Sequence, residues 1–96
     1  SVSPKQIKRV IDKNQPQITA CYERELKSSP GLRGKVTVGF VIGADGRVRP
    51  PRIVSDSTRN RELSSCIKRV VHGWRFPKAE GPADVEYPFA FKPRDY

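Results

Sequence analysis

The chain has no run of more than a few consecutive apolar residues. A bilayer crossing needs about 20, so a membrane-spanning helix is excluded, and no secretory leader pattern opens the sequence. Delivery to a compartment is expected to depend on a segment outside these residues. Histidine occurs once, as His72, so no His-Asp-Ser set can form without it. Its place in the last turn of a predicted helix suits a partly positive side chain. Two cysteines are too few for a disulfide-rich scaffold or a zinc finger. Cys21, Cys66 and His72 together match no standard zinc spacing. Cys66 lies in the middle of an apolar stripe, whereas a nucleophilic thiol needs a base and an exposed position. The ten carboxylates are scattered, and Glu23 and Glu25, two apart on a helix, cannot face each other. Asp45 sits in a glycine-rich turn, and no GK[ST] follows Gly43 and Gly46 to make a phosphate loop. No catalytic residue, cofactor or metal site is expected.

What is present describes one folded domain over residues 1–96. Apolar residues make up 35% and charged residues 30%, a globular rather than a disordered balance, and no internal repeat appears. Nineteen basic against ten acidic side chains leave a net charge of +9, which raises the question of an anionic partner. The basic residues are spread over every segment, which favours a solvated basic surface. Arg47, Arg49 and Arg52 form the best candidate anion patch.

Ser3-Pro4 reads as a helix start, with serine as cap and proline at the first helical position. Ile7, Val10, Ile11, Ile18, Cys21, Tyr22 and Leu26 then fall on one helical stripe. Pro16 interrupts the run without shifting its phase, which predicts a kinked helix or two nearly collinear ones. Ser28 to Gly31 ends it. Lys35 to Ile42 alternates, with Val36, Val38, Phe40 and Ile42 on one face. Gly43-Ala44-Asp45-Gly46 supplies a hairpin turn, and Arg47 to Ser55 is read as the returning strand with Val48 and Ile53 inward. Pro50-Pro51 demotes that strand to an edge or forces a bulge between those two inward residues. Leu63, Cys66, Ile67, Val70, Val71 and Trp74 give the strongest helical signal, and Gly73 offers its stop. Ala83 to Lys92 alternates again, with Val85, Tyr87, Phe89 and Phe91 on one face. The aromatics of this strand and Trp74 are read as core rather than as a base-stacking platform.

The order helix-strand-strand-helix-strand leaves little topological freedom. The first two strands form an antiparallel hairpin, and the second helix is the crossover that returns the third strand to the free side of the first. The expected fold is α+β: a three-stranded antiparallel sheet of order 2-1-3 with both helices on one face. The proline-free strand is central, and the strands with Pro50-Pro51 and Pro88 are the edges. Two readings of the cysteines stand: reduced core thiols, or a bridge between the helices, which would imply an oxidising compartment. Because both lie on stripes that pack on the same sheet face, the bridge Cys21–Cys66 is the expectation.

The residues also carry a resemblance. Pro16-Gln17-Ile18, Cys21-Tyr22-Glu23, Leu26, Pro30-Gly31-Leu32 and Gly34-Lys35-Val36 resemble the TonB-like C-terminal domain of the AgmX/PglI gliding-motility proteins of myxobacteria. So do Phe40 to Gly43, Asp45 to Val48, Cys66-Ile67, Trp74-Arg75-Phe76-Pro77 and Tyr87-Pro88-Phe89. The DG turn, WRFP and the last aromatic strand are shared with TonB-like domains broadly; the cysteine pair narrows the match to this branch. The resemblance implies a TonB-like fold and a periplasmic domain of a parent anchored in the inner membrane. It further implies a non-enzymatic role in energy transduction, transport or gliding motility, through contact with an outer-membrane or periplasmic protein. In that group an extended partner segment adds beside the last strand, here with Val85, Glu86, Tyr87, Phe89, Ala90 and Phe91 as the binding residues. An exposed sheet edge leaves monomer and strand-exchanged dimer both open. The competing reading is a basic domain that binds acidic envelope polymers or, less favoured, nucleic acid.

Overall fold

The computed structural model describes residues 1–94. Its elements are α1 (Pro4–Leu26), β1 (Gly34–Ile42), β2 (Arg52–Asp56), α2 (Arg61–His72) and β3 (Ala83–Phe91). The sheet has the order β2-β1-β3, antiparallel throughout, as the sequence predicts.

Both helices begin on side-chain caps, because the first backbone N–H groups of a helix have no partner within it. Ser3 Oγ accepts from the Gln6 N–H at 3.1 Å, and Gln6 Oε1 accepts from the Ser3 N–H at 2.9 Å. At α2, Asn60 Oδ1 accepts from the Leu63 N–H at 2.8 Å. α1 runs through Pro16 as one helix rather than two. Pro16 and Asp12 are both exposed, so the Asp12 carbonyl that loses its usual donor faces water. α2 ends at His72 with Gly73 as its cap, which leaves Trp74 just past the helix, although it continues the apolar stripe.

The second strand is shorter than its alternation suggests. Val48 makes only an isolated bridge to Ile42, and regular pairing resumes at Gly39↔Arg52. Pro50 and Pro51 lie between, where neither can donate to a ladder. A further irregularity follows: Val38 pairs with Ile53 but Thr37 with Ser55, so Val54 is the extra residue of a bulge. Val54 is 43% exposed, the one large apolar side chain left in solvent among the described residues.

The core lies between the helices and the inward face of the sheet. Val36, Val38, Phe40 and Ile42 of β1 are buried together with Ile11 and Ile18 of α1 and Leu63, Ile67 and Val71 of α2. Phe40 sits at its centre, edge-on to Trp74 at 6.5 Å and tilted against Phe76 at 6.1 Å. Trp74 Nε1 donates to Gln17 Oε1 at 3.0 Å, which satisfies the indole. The DG turn is locked to the WRFP stretch: the Phe76 N–H donates to Gly46 O, and the Ala79 N–H to Ala44 O, both at 2.9 Å. Gly46 has φ +82°, and a Cβ there would run into the Phe76 carbonyl.

Cys21 and Cys66 form a disulfide that ties α1 to α2, with Cα atoms 5.8 Å apart. Both residues are buried, and Arg24 Nη2 lies 3.2 Å from the Cys66 sulfur. The bridge, rather than the pair of reduced thiols, is what the fold holds.

Candidate functional site

The free side of β3 can be read from hydrogen bonds on the other side of the sheet. Lys35 donates its N–H to Ser57 Oγ at 2.9 Å, and its carbonyl accepts from the Ser57 N–H at 3.0 Å. The Val41 carbonyl accepts from the Arg49 N–H at 2.9 Å. The odd-numbered residues of β1 therefore turn their backbone toward β2. Backbone direction alternates along a strand, so Val36, Val38, Phe40 and Ile42 turn theirs toward β3. Their register partners are Phe89, Tyr87, Val85 and Ala83, in a pairing that runs unbroken along the strand. It follows that Asp84, Glu86, Pro88 and Ala90 present their backbone groups to the free edge. Pro88 has no N–H, so the donor it lacks is missing from that outer edge and not from the sheet itself.

The side chains divide in the same way. Val85 and Phe89 are buried, Tyr87 and Phe91 half-buried, and all four point to the helix layer. Glu86 and Ala90 are exposed, as are Asp84 and Pro88, on the opposite face. Of the six residues expected to meet a partner, then, Val85 and Phe89 are packed in the core, and Tyr87 and Phe91 are partly packed and partly accessible. Glu86 and Ala90 combine an outward backbone with an exposed side chain.

α1 flanks the C-terminal end of this edge. A groove of about 560 Å³ lies there, lined by Thr19, Tyr22, Leu26 and Pro30 on one side and Ala90 to Arg94 on the other. Tyr22 stacks on Phe91 with ring centres 4.9 Å apart, and its hydroxyl donates to the Leu32 carbonyl at 2.6 Å. Burial raises the Tyr22 pKa above its ordinary value of 10.0, partly opposed by the nearby Arg33 charge. Sequence periodicity does not reveal this groove, because it depends on where α1 lies over the strand.

The three arginines of the candidate anion patch do not stand as free cations together. Arg52 reaches across the central strand to Glu86, 3.7 Å away, and its guanidinium occupies the space where a side chain at position 39 would be. Gly39 makes that crossing possible, since it is the register partner of both residues. Arg49 lies over Gly43 and pairs with Asp45 at 3.5 Å. Arg47 is exposed and bridges to Arg75 through the backbone. Asp45 also accepts from the Arg47 N–H at 3.0 Å. That bond lowers its pKa; slight desolvation opposes it, and the Arg49 charge adds to it. His72 is exposed at the end of α2.

Residues 25–93 match the family model described as Gram-negative bacterial TonB protein C-terminal. The chain belongs to the TonB C-terminal family. No match is found among curated proteins. Among solved structures, the TonB C-terminal domain of Pseudomonas aeruginosa superposes with a TM-score of 0.58 at 22% identity, over 75% of this chain and 77% of that one. A longer form of the Helicobacter pylori TonB C-terminal domain gives a TM-score of 0.55 at 25% identity, over 88% and 84% of the two chains. A shorter form gives 0.53 at 28%, over 78% and 87%. TonB C-terminal domains are periplasmic in Gram-negative bacteria and mediate protein–protein contacts in envelope energy transduction. A disulfide between α1 and α2 accords with such an oxidising compartment. No described helix is long and apolar enough to cross a membrane.

Proposed function

We propose that this chain docks an extended segment of an envelope protein along the free edge of β3, as the periplasmic end of a parent anchored in the inner membrane. The observation that supports this reading is the outward row of backbone groups at Asp84, Glu86, Pro88 and Ala90. Strand addition satisfies such groups directly, and the side chains beside them set selectivity. Val85 and Phe89 anchor the strand to the core from the helix side, while half-buried Phe91 also lines the groove beside α1. The resemblance to gliding-motility proteins, carried by the cysteine pair, supports a motility or transport machine as the parent, and the role needs no catalytic residue.

The proline at the edge makes the reading testable. Pro88→Ala supplies the one missing donor where a partner strand pairs. A hydrogen bond contributes about 0.5–1.5 kcal/mol net, so a docking segment should bind roughly two- to tenfold more tightly. The assay is an NMR titration with segments of outer-membrane and periplasmic proteins of the same envelope. Amide shifts along Ala83–Phe91, little changed by moderate salt, are expected. Shifts confined to the surface around Arg47, Arg49 and Arg52, with binding lost in salt, would favour an acidic polymer instead.

A further inference from the structure

The edge of β3 is not uniform along its length. Asp84 and Glu86 are exposed along its first half, and at Ala90 the groove beside α1 begins. We infer that this groove seats one aromatic side chain of the docking segment, with an acidic residue adjacent to it in sequence. The inference rests on the strand-addition reading and specifies the partner's chemistry at that site.

Alternation fixes where the anchor falls. The outward-bonding residues of β3 are the even-numbered ones, so a partner residue opposite Phe91 turns its side chain toward the helix layer, whether the added strand runs parallel or antiparallel. On that side it meets Tyr22, Leu26, Pro30 and the Phe91 ring. These walls are already ordered, because Tyr22 is held by its stack on Phe91 and its bond to the Leu32 carbonyl. An aromatic ring gains both apolar burial and favourable ring geometry against such walls. The partner residue next to the anchor lies by the mouth of the groove, just past the end of β3, where the chain continues as Lys92, Pro93 and Arg94. Lys92 and Arg94 are exposed at the mouth of the groove, and neither makes an ion pair among the described residues. An acid there meets two cations, whereas on the α1 side it would meet Glu23.

Synthetic peptides of about ten residues, built on an extended Ser/Thr background, test the inference. One carries Phe-Asp at its centre, one Ala-Asp and one Phe-Lys. By NMR titration the Phe-Asp peptide should bind at the β3 edge roughly tenfold more tightly than the Ala-Asp peptide, the scale expected for burying one aromatic side chain, and more tightly than the Phe-Lys peptide, whose cation is repelled by Lys92 and Arg94, by a margin that shrinks with salt. Thr19→Gln places a longer uncharged side chain at the exposed rim of the groove and should shrink the Phe advantage while leaving binding of the Ala-Asp peptide unchanged. Pro88→Ala should strengthen all three alike. Equal affinity for the Phe-Asp and Ala-Asp peptides, with shifts still on β3, would overturn the groove assignment and leave strand addition standing. An absence of β3 shifts with every peptide would overturn both.

Discussion

Removing the disulfide by Cys21→Ala with Cys66→Ala should reduce stability by about 4 kcal/mol. The bridge joins residues 45 apart in sequence, and chain-entropy arguments assign a loop of that size about 4 kcal/mol at room temperature. The larger unfolded ensemble of the variant is the main contribution, since Ile11, Ile18, Leu63, Ile67 and Val71 remain to hold the helices on the sheet. Loss of the sulfur contact also leaves Arg24 without the group it lies against. For a domain whose total stability is about 5–15 kcal/mol this is a large fraction. Urea unfolding followed by far-UV circular dichroism should place the midpoint roughly 1.5–4 M lower, taking about 1–3 kcal/mol per molar for the slope. Thermal unfolding should fall by roughly 15–30 °C. A loss under about 1 kcal/mol with an unchanged slope would refute the reasoning. It would mean that the unbridged denatured chain already keeps α1 and α2 together.

Other consequences follow from single contacts. Tyr22→Phe removes the donor to the buried Leu32 carbonyl and should destabilise by about 1–2 kcal/mol in chemical denaturation. Gly46→Ala forces a side chain into a backbone at φ +82° against Phe76 and should cost roughly 3 kcal/mol, with the Trp74 emission reporting the disturbed junction. The lowered pKa of Asp45 means that its contribution is complete above its ordinary 3.8 and is lost as pH falls through the lowered value. Asp45→Asn keeps an acceptor for the Arg47 N–H, so it should flatten the acid limb of the stability profile while leaving the turn in place.

Much of the fold was legible because its signals are local. Stripes at helical spacing and two alternating strands specify which faces are buried, and the element order then leaves the sheet order β2-β1-β3. The cysteines became readable as a pair once both stripes were assigned to one sheet face. The less legible points arose where tertiary surroundings override a local rule. Pro16 left one helix or two open, and α1 stays one because the carbonyl that Pro16 orphans is on its exposed side. The strand expected from Arg47 is interrupted because Pro50 and Pro51 occupy consecutive ladder positions, and it resumes only at Arg52. The edge was legible through Pro88, but not the fact that Pro88 turns toward the outside; that required the Lys35 and Val41 hydrogen bonds. The crossing of Arg52 over Gly39 to Glu86 and the groove against α1 join residues far apart in sequence, and no periodicity encodes them.

Amide hydrogen exchange along β3 tests the docking edge most directly. In the free domain the N–H groups of Val85, Tyr87, Phe89 and Phe91, bonded to β1, should exchange slowly. Those of Asp84, Glu86 and Ala90 should exchange at rates typical of solvent-facing amides. Adding a docking segment from an outer-membrane or periplasmic partner should slow Asp84, Glu86 and Ala90 selectively, by an amount that grows with its affinity. Uniform protection of the strand in the free monomer, or a bound state in which those three amides still exchange freely while other surfaces become protected, would contradict the account.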